Sequence, residues 1–149
     1  MTRLSPPVFR MEHVAILSKQ SKLLAKILSG EKTIESRWYK FKKTPYENIA
    51  VGDTIYFKES GEPVTARARV SKVLFFDGLD ECKIKNILKE YGARIGVSMS
   101  YAEKVKDKNF CTLMFLEKVE RIEPFEINKK GFGLMAAWIT VDKIEKIKA

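Results

Sequence analysis

Eight consecutive residues, Gly30-Glu31-Lys32-Thr33-Ile34-Glu35-Ser36-Arg37, bring a lysine, a carboxylate and a guanidinium within reach of one another. In an extended strand, Thr33, Glu35 and Arg37 share one face, and Lys32, Ile34 and Ser36 share the other. Glu35 can then hold Arg37 in a fixed pose, and the guanidinium offers a planar donor fork to a phosphate or a base edge. The same spacing also describes a plain surface ion pair, which stabilises by about 0–1 kcal/mol. Lys32 has two chemical uses. As an ammonium it binds an anion. As a base it needs a pKa of about 7–8 against an ordinary value of about 10.4, a depression that costs about 4 kcal/mol.

The next stretch, Arg37-Trp38-Tyr39-Lys40-Phe41-Lys42-Lys43-Thr44-Pro45-Tyr46, interleaves aromatics with cations. Rings offer bases a stacking surface worth about 1–3 kcal/mol per base. Lysines and arginines neutralise phosphates. The alternative is a strand end whose Trp38 and Phe41 fill the core while the lysines face water. Further on, Arg67 and Arg69 share the wet face of a strand and either extend the same positive surface or are simply solvated. Lys129-Lys130-Gly131-Phe132-Gly133 is a basic turn, and His13 precedes an apolar run and reads as structural.

The elements that must position these residues are legible from periodicity. Val14–Leu17 is a short apolar strand. Leu23, Leu24, Ile27 and Leu28 form a helical stripe, with Ser18 a candidate cap and Gly30 the left-handed stop. Lys32 to Trp38 reads as a strand, Tyr39 to Ala50 as a loop, and Val51-Gly52-Asp53 as a turn into a strand over 54–58. Val64, Ala66, Ala68 and Val70 alternate with Thr65, Arg67, Arg69 and Ser71, so one face is buried and the other is basic. Ile84, Ile87, Leu88 and Tyr91 mark an amphipathic helix over 80–91, stopped by Gly92. Ser100 and Glu103 suggest a capping box. A long strand follows over 110–122, and a final one over 137–141.

The chain has 149 residues, with 28 Lys and Arg against 19 Asp and Glu, a formal charge of +9. Residues 1–50 hold 10 basic and 4 acidic side chains, so the excess is concentrated there. Uneven positive charge suggests a polyanion partner; overall charge alone reads better as a solubility coat, and it is the interleaving with aromatics that favours the partner. One histidine and two cysteines, Cys82 and Cys111, exclude a multi-histidine centre and a four-thiolate zinc site. Both cysteines read as buried, reduced thiols. No cofactor or metal is called for. The longest apolar run, Leu134–Ile139, is far short of the roughly 20 residues of a membrane helix. That run could also serve a protein-interaction adaptor as its docking surface. The expectation is a cytoplasmic monomer with no membrane contact, an extended leader over 1–12 and a single domain over 13–149.

Gly30–Arg37 fits G-x-K-x-x-E-x-R, and here the chain resembles the ASCH family, whose domains are PUA-like β-barrels. The apolar helix before the signature, Val51-Gly52-Asp53-Thr54-Ile55 and the strand through Val70 and Val73 extend the resemblance over about residues 13–122. It implies a mixed α+β fold: a small PUA-like barrel of five or six strands with two or three peripheral helices. It also implies a cleft lined by the signature, with RNA or a nucleotide as ligand. On that basis Lys32, Arg37, Lys40 and Lys42 would meet phosphate. Glu35 would orient Arg37 or read a base amino group, Trp38 or Tyr39 would stack, and Arg67 and Arg69 would extend the surface. Some relatives resemble amidohydrolases of acylated cytidines, with the signature lysine, a threonine and a downstream glutamate as catalysts. Lys32 matches that lysine and would be catalytic. Glu35 stands where those relatives have the threonine.

Overall fold

The protein is seen here in a computed structural model that describes residues 10–133 and 135–149. The expected leader lies mostly in residues 1–9, outside the described residues. Its elements are β1 Glu12–Leu17, α1 Leu23–Ser29, β2 Ile34–Tyr39, β3 Thr54–Glu59, β4 Val64–Phe76, α2 Glu81–Ile95, α3 Tyr101–Val105, β5 Phe110–Phe125, β6 Trp138–Val141 and a closing 3-10 turn, Ile144–Ile147. The six strands form one sheet in the order β2-β5-β4-β3-β1-β6. β1 runs parallel to β3, and every other neighbouring pair is antiparallel. This is the expected mixed α+β architecture: a six-stranded sheet curled into a half-barrel with three helices.

The curl has local causes. β4 and β5 slip register at three places, and β3 and β4 at one. Each slip bends its strand and adds right-handed twist. The inner face carries Ala15, Ala66 and Ala68 opposite the larger Ile55, Phe57 and Met114. Small residues there let the curled strands approach. α1 lays Leu24 and Ile27 into the same core, each burial stabilising by about 1.5–3 kcal/mol. α2 packs Ile84, Ile87, Leu88 and Ile95 against Ile34, Trp38 and Leu113 on the other face of β2 and β5. The closing turn covers Val14, Tyr56 and Ile139 with Ile144 and Ile147.

The alternation over 64–70 is as expected: Val64, Ala66, Ala68 and Val70 are buried. Gly30 ends α1 in the left-handed region at φ +83°, where only glycine sits without strain. Three boundaries differ from expectation. Lys22, not Ser18, precedes α1. α2 runs through Gly92 and stops at Gly96, φ +89°. Gly92 is used for proximity: a Cβ there would stand 3.3 Å from the Val97 carbonyl. Ser100 makes no side-chain cap to α3; its hydroxyl meets Ser98, and Glu103 pairs with Lys106. Asp80 does cap α2, accepting from the Lys83 N–H at 2.8 Å. Cys111 is buried, but Cys82 is exposed on the outer side of α2. No helix among the described residues is long and apolar enough to cross a membrane.

Candidate functional site

The α1–β2 junction is sewn in by its backbone. Lys32 N–H bonds the Lys26 carbonyl, and Thr33 N–H bonds the Arg94 carbonyl, both at 2.9 Å. Lys32 is thereby turned inward and is 3% exposed. Its Nζ donates to the carbonyls of Ile34 and Ile95, both at 2.8 Å. Ile95 is the last residue of α2, so the cation sits at the negative end of that helix. Burial pushes the Lys32 ammonium below the ordinary lysine range; Glu35 opposes the shift, and Arg37 and Lys26 assist it. The two carbonyls occupy two N–H bonds. The third position on nitrogen is the one that carries either the proton or the lone pair.

Glu35 and Arg37 follow on the inner face of β2, in register with Met114 and Thr112 of β5. Glu35 is buried, and its Oε1 lies 3.5 Å from Arg37 Nε. That is an ion-pair distance, too long for a hydrogen bond in this geometry. The Arg37 side chain then leaves its own strand. Nη1 donates to the Ala137 carbonyl at 3.2 Å, Nη2 approaches the Ile16 carbonyl at 3.5 Å, and the guanidinium stands 5.1 Å from the Trp138 ring centre. β2 and β6 are the two edges of the sheet. Arg37 therefore spans the open seam of the half-barrel.

Three buried side-chain atoms have no hydrogen-bond partner among the described residues: Glu35 Oε2, Arg37 Nε and Thr112 Oγ1. All three belong to this cluster. An unmet buried polar atom costs about 1–3 kcal/mol, so this face of β2 and β5 carries an uncompensated polar cluster beneath the seam. Tyr39 closes the row on the same face. Burial raises its phenol pKa while Arg37 lowers it, and Lys43 lies 5.4 Å from its ring centre.

The remaining site residues divide. Trp38 points to the α2 side: it is 8% exposed, meets Tyr101 edge-on, and donates to the Ser36 hydroxyl. Strand alternation forces this, because Trp38 sits between two inward positions, and its burial leaves no open face for a base. Phe41, expected to fill the core as an alternative, is instead 74% exposed. Lys40 and Lys42 are exposed beyond β2, and Lys42 lies 3.4 Å from Glu47. Arg67 and Arg69 alternate with the inward Ala66 and Ala68, so they lie on the opposite face of the sheet from Arg37. Arg67 is also paired with Glu120 at 2.6 Å. The Leu134–Ile139 run is split: Trp138 and Ile139 are buried, Met135 is exposed, and Leu134 lies outside the described residues.

Thr112 escaped the sequence because nothing in its spacing says that β5 pairs with β2. A second polar cluster escaped as well. His13, fully buried on β1, places Nε2 2.8 Å from Asp53 Oδ2 and Nδ1 2.9 Å from Thr140 Oγ1. Asp53 also accepts from the N–H groups of Met11 and Ala50. Trp138 Nε1, which can only donate, lies 3.3 Å from His13 Nδ1. Asp53, a carboxylate, takes the proton on Nε2, which in the neutral ring leaves Nδ1 to accept. Burial lowers its pKa, which favours that neutral ring, against the pull of Asp53 and Glu12. His13 is structural, as expected, but it also orients Trp138, the ring under Arg37.

No family model matches the chain, and no curated protein matches it. Solved structures do. The crystal structure of the ASCH protein from Zymomonas mobilis aligns with a TM-score of 0.67 at 20% identity, covering 91% of this chain and 90% of that one. Two single-residue variants of the same protein align at TM-scores of 0.67 and 0.68, also at 20% identity, covering 91% and 93% of this chain and 93% of each variant. The chain has the ASCH-domain fold.

His13 yields a pH test. Because its folded pKa is lowered, the unfolded chain binds the extra proton, so this contribution to stability is full above the unfolded pKa of about 6.5 and is lost as pH falls below it. Unfolding free energies from urea titrations between pH 7.5 and 5 should fall more steeply for the native chain than for His13→Gln, by up to about 1.4 kcal/mol per pH unit. Parallel slopes would contradict a neutral buried His13.

Proposed function

We propose that the protein is an RNA-binding module that takes single-stranded or looped RNA at the seam, with Arg37 at its centre. The supporting observation is the cluster of unmet polar atoms on Glu35, Arg37 and Thr112, side by side on the inner face. Above these buried atoms the half-buried Arg37 guanidinium lies at the seam, a donor suited to a phosphate or a base edge. Lys40, Lys42 and Lys43 stand exposed at the end of β2, beside the exposed ring of Phe41. They supply charge and a stacking face where Trp38 cannot. Unpaired RNA suits this arrangement because its bases can be splayed out. Arg67 and Arg69, on the far face, are left out of this site.

The test is a titration with short single-stranded RNA at several salt concentrations. Each phosphate contact contributes about −0.7 to the slope of log affinity against log salt. Lys40→Ala and Lys42→Ala should each flatten the slope by about that amount, while Arg67→Ala should leave it unchanged. A slope near zero for the native chain would reject phosphate contacts.

One observation favours a second reading, a small amidohydrolase of acylated nucleosides with Lys32 as base. Burial and Arg37 both push Lys32 toward the neutral amine, and its two carbonyl partners leave one position on nitrogen for a lone pair. Glu35 works against this by holding the proton. Incubation with N4-acetylcytidine, with Lys32→Ala as control, should release acetate only from the native protein if this reading holds. No turnover, or equal turnover by both proteins, would remove it.

A further inference from the structure

A hollow of about 590 Å³ lies between the 43–48 turn and the 131–137 loop, bordered by Lys43, Thr44, Asn48, Phe132, Met135 and Thr140. It abuts the Arg37 site, since Ala137 and Trp138 border it too, and Arg37 bonds the Ala137 carbonyl. Its polar floor has fixed proton directions. Asp53 accepts from His13 Nε2; in the neutral ring the one Nδ1 lone pair takes its nearer donor, the Thr140 hydroxyl at 2.9 Å, and Trp138 Nε1–H, 3.3 Å from either atom, goes to Thr140 Oγ1. Thr140 then accepts from the Thr44 hydroxyl at 3.0 Å. Thr44, its proton committed, accepts from the Asn48 amide at 3.0 Å. One Thr44 lone pair and one Asn48 N–H remain, side by side at the hollow. That pair matches a group that both donates and accepts, which is a hydroxyl. Phe132 and Met135, 40% and 95% exposed, offer an apolar wall for a ring.

We infer that this hollow holds the ribonucleotide next to the one at Arg37, with its 2′-hydroxyl donating to Thr44 and accepting from Asn48, and its base against Phe132. The inference rests on the RNA-binding reading and adds a device for choosing RNA over DNA, since the 2′-hydroxyl is the group that separates them. The buried His13–Asp53 pair is its anchor: it sets which way every hydroxyl in the chain points.

The experiment compares fluorescence anisotropy of oligouridylate and oligodeoxyuridylate of equal length. The native protein should prefer the ribose form by at least about fivefold, the worth of one hydrogen bond. Thr44→Val should bring the ratio near one with the deoxy affinity retained, and Thr44→Ser should keep the preference. Asn48→Ala, at an exposed position, should also reduce it. Phe132→Ala should weaken both ligands by the same factor. Equal native affinity for the two, or a preference untouched by both Thr44→Val and Asn48→Ala, would overturn the inference and leave RNA binding standing. Binding to neither oligonucleotide would overturn both.

Discussion

One guanidinium joins the two free edges of the sheet. A curled sheet that stops short of closure leaves two strands with unmet backbone groups and an opening into the core. Arg37 starts on β2 and ends among the Ile16 carbonyl, the Ala137 carbonyl and the Trp138 ring. A planar cation with five donors and a long apolar stem is the side chain suited to that crossing. Charge-assisted hydrogen bonds of this kind contribute about 1.5–3 kcal/mol, and the ring contact about 0.5–2 kcal/mol. Glu35 offsets the buried charge without fully satisfying it. The seam is therefore held by a group that keeps an unmet donor, and the proposed recognition rests on the same residue that spans the seam.

Lys32 shows the same economy. A buried lysine is costly unless its protons are taken up, and here they go to the end of α2 and to β2's own backbone. The ammonium thus fixes where α2 stops relative to the strand edge. Because Glu35 pulls its proton one way and burial with Arg37 the other, the three signature side chains form one electrostatic unit.

Much of this was legible in the residues. The alternation of small and polar side chains over 64–71 gave the inner and outer faces of β4 because strand period is fixed by the backbone. Gly30 marked the end of α1 for the same kind of reason, since few residues tolerate its φ. The signature spacing put Glu35 and Arg37 on one face. What stayed hidden depends on contacts distant in sequence. Trp38 looked like a stacking ring until α2 arrived to cover it, and Gly92 looked like a stop until the Val97 carbonyl explained its use. Thr112 became part of the site only through β2–β5 register, and His13 reached Asp53 and Thr140 across 40 and 127 positions. The arginines of β4 carry the same charge as Arg37, but the sheet separates them. Pattern shows which face a residue occupies, and only packing shows what else occupies that face.

The most direct measurement follows the arginine side-chain Nε–H signals in a 15N-labelled sample as short single-stranded RNA is added. Arg37 Nε–H should shift saturably, together with the Thr112 backbone amide, while Arg67 and Arg69 hold still. Shifts at Arg67 and Arg69 with Arg37 unmoved would contradict a site centred on the seam.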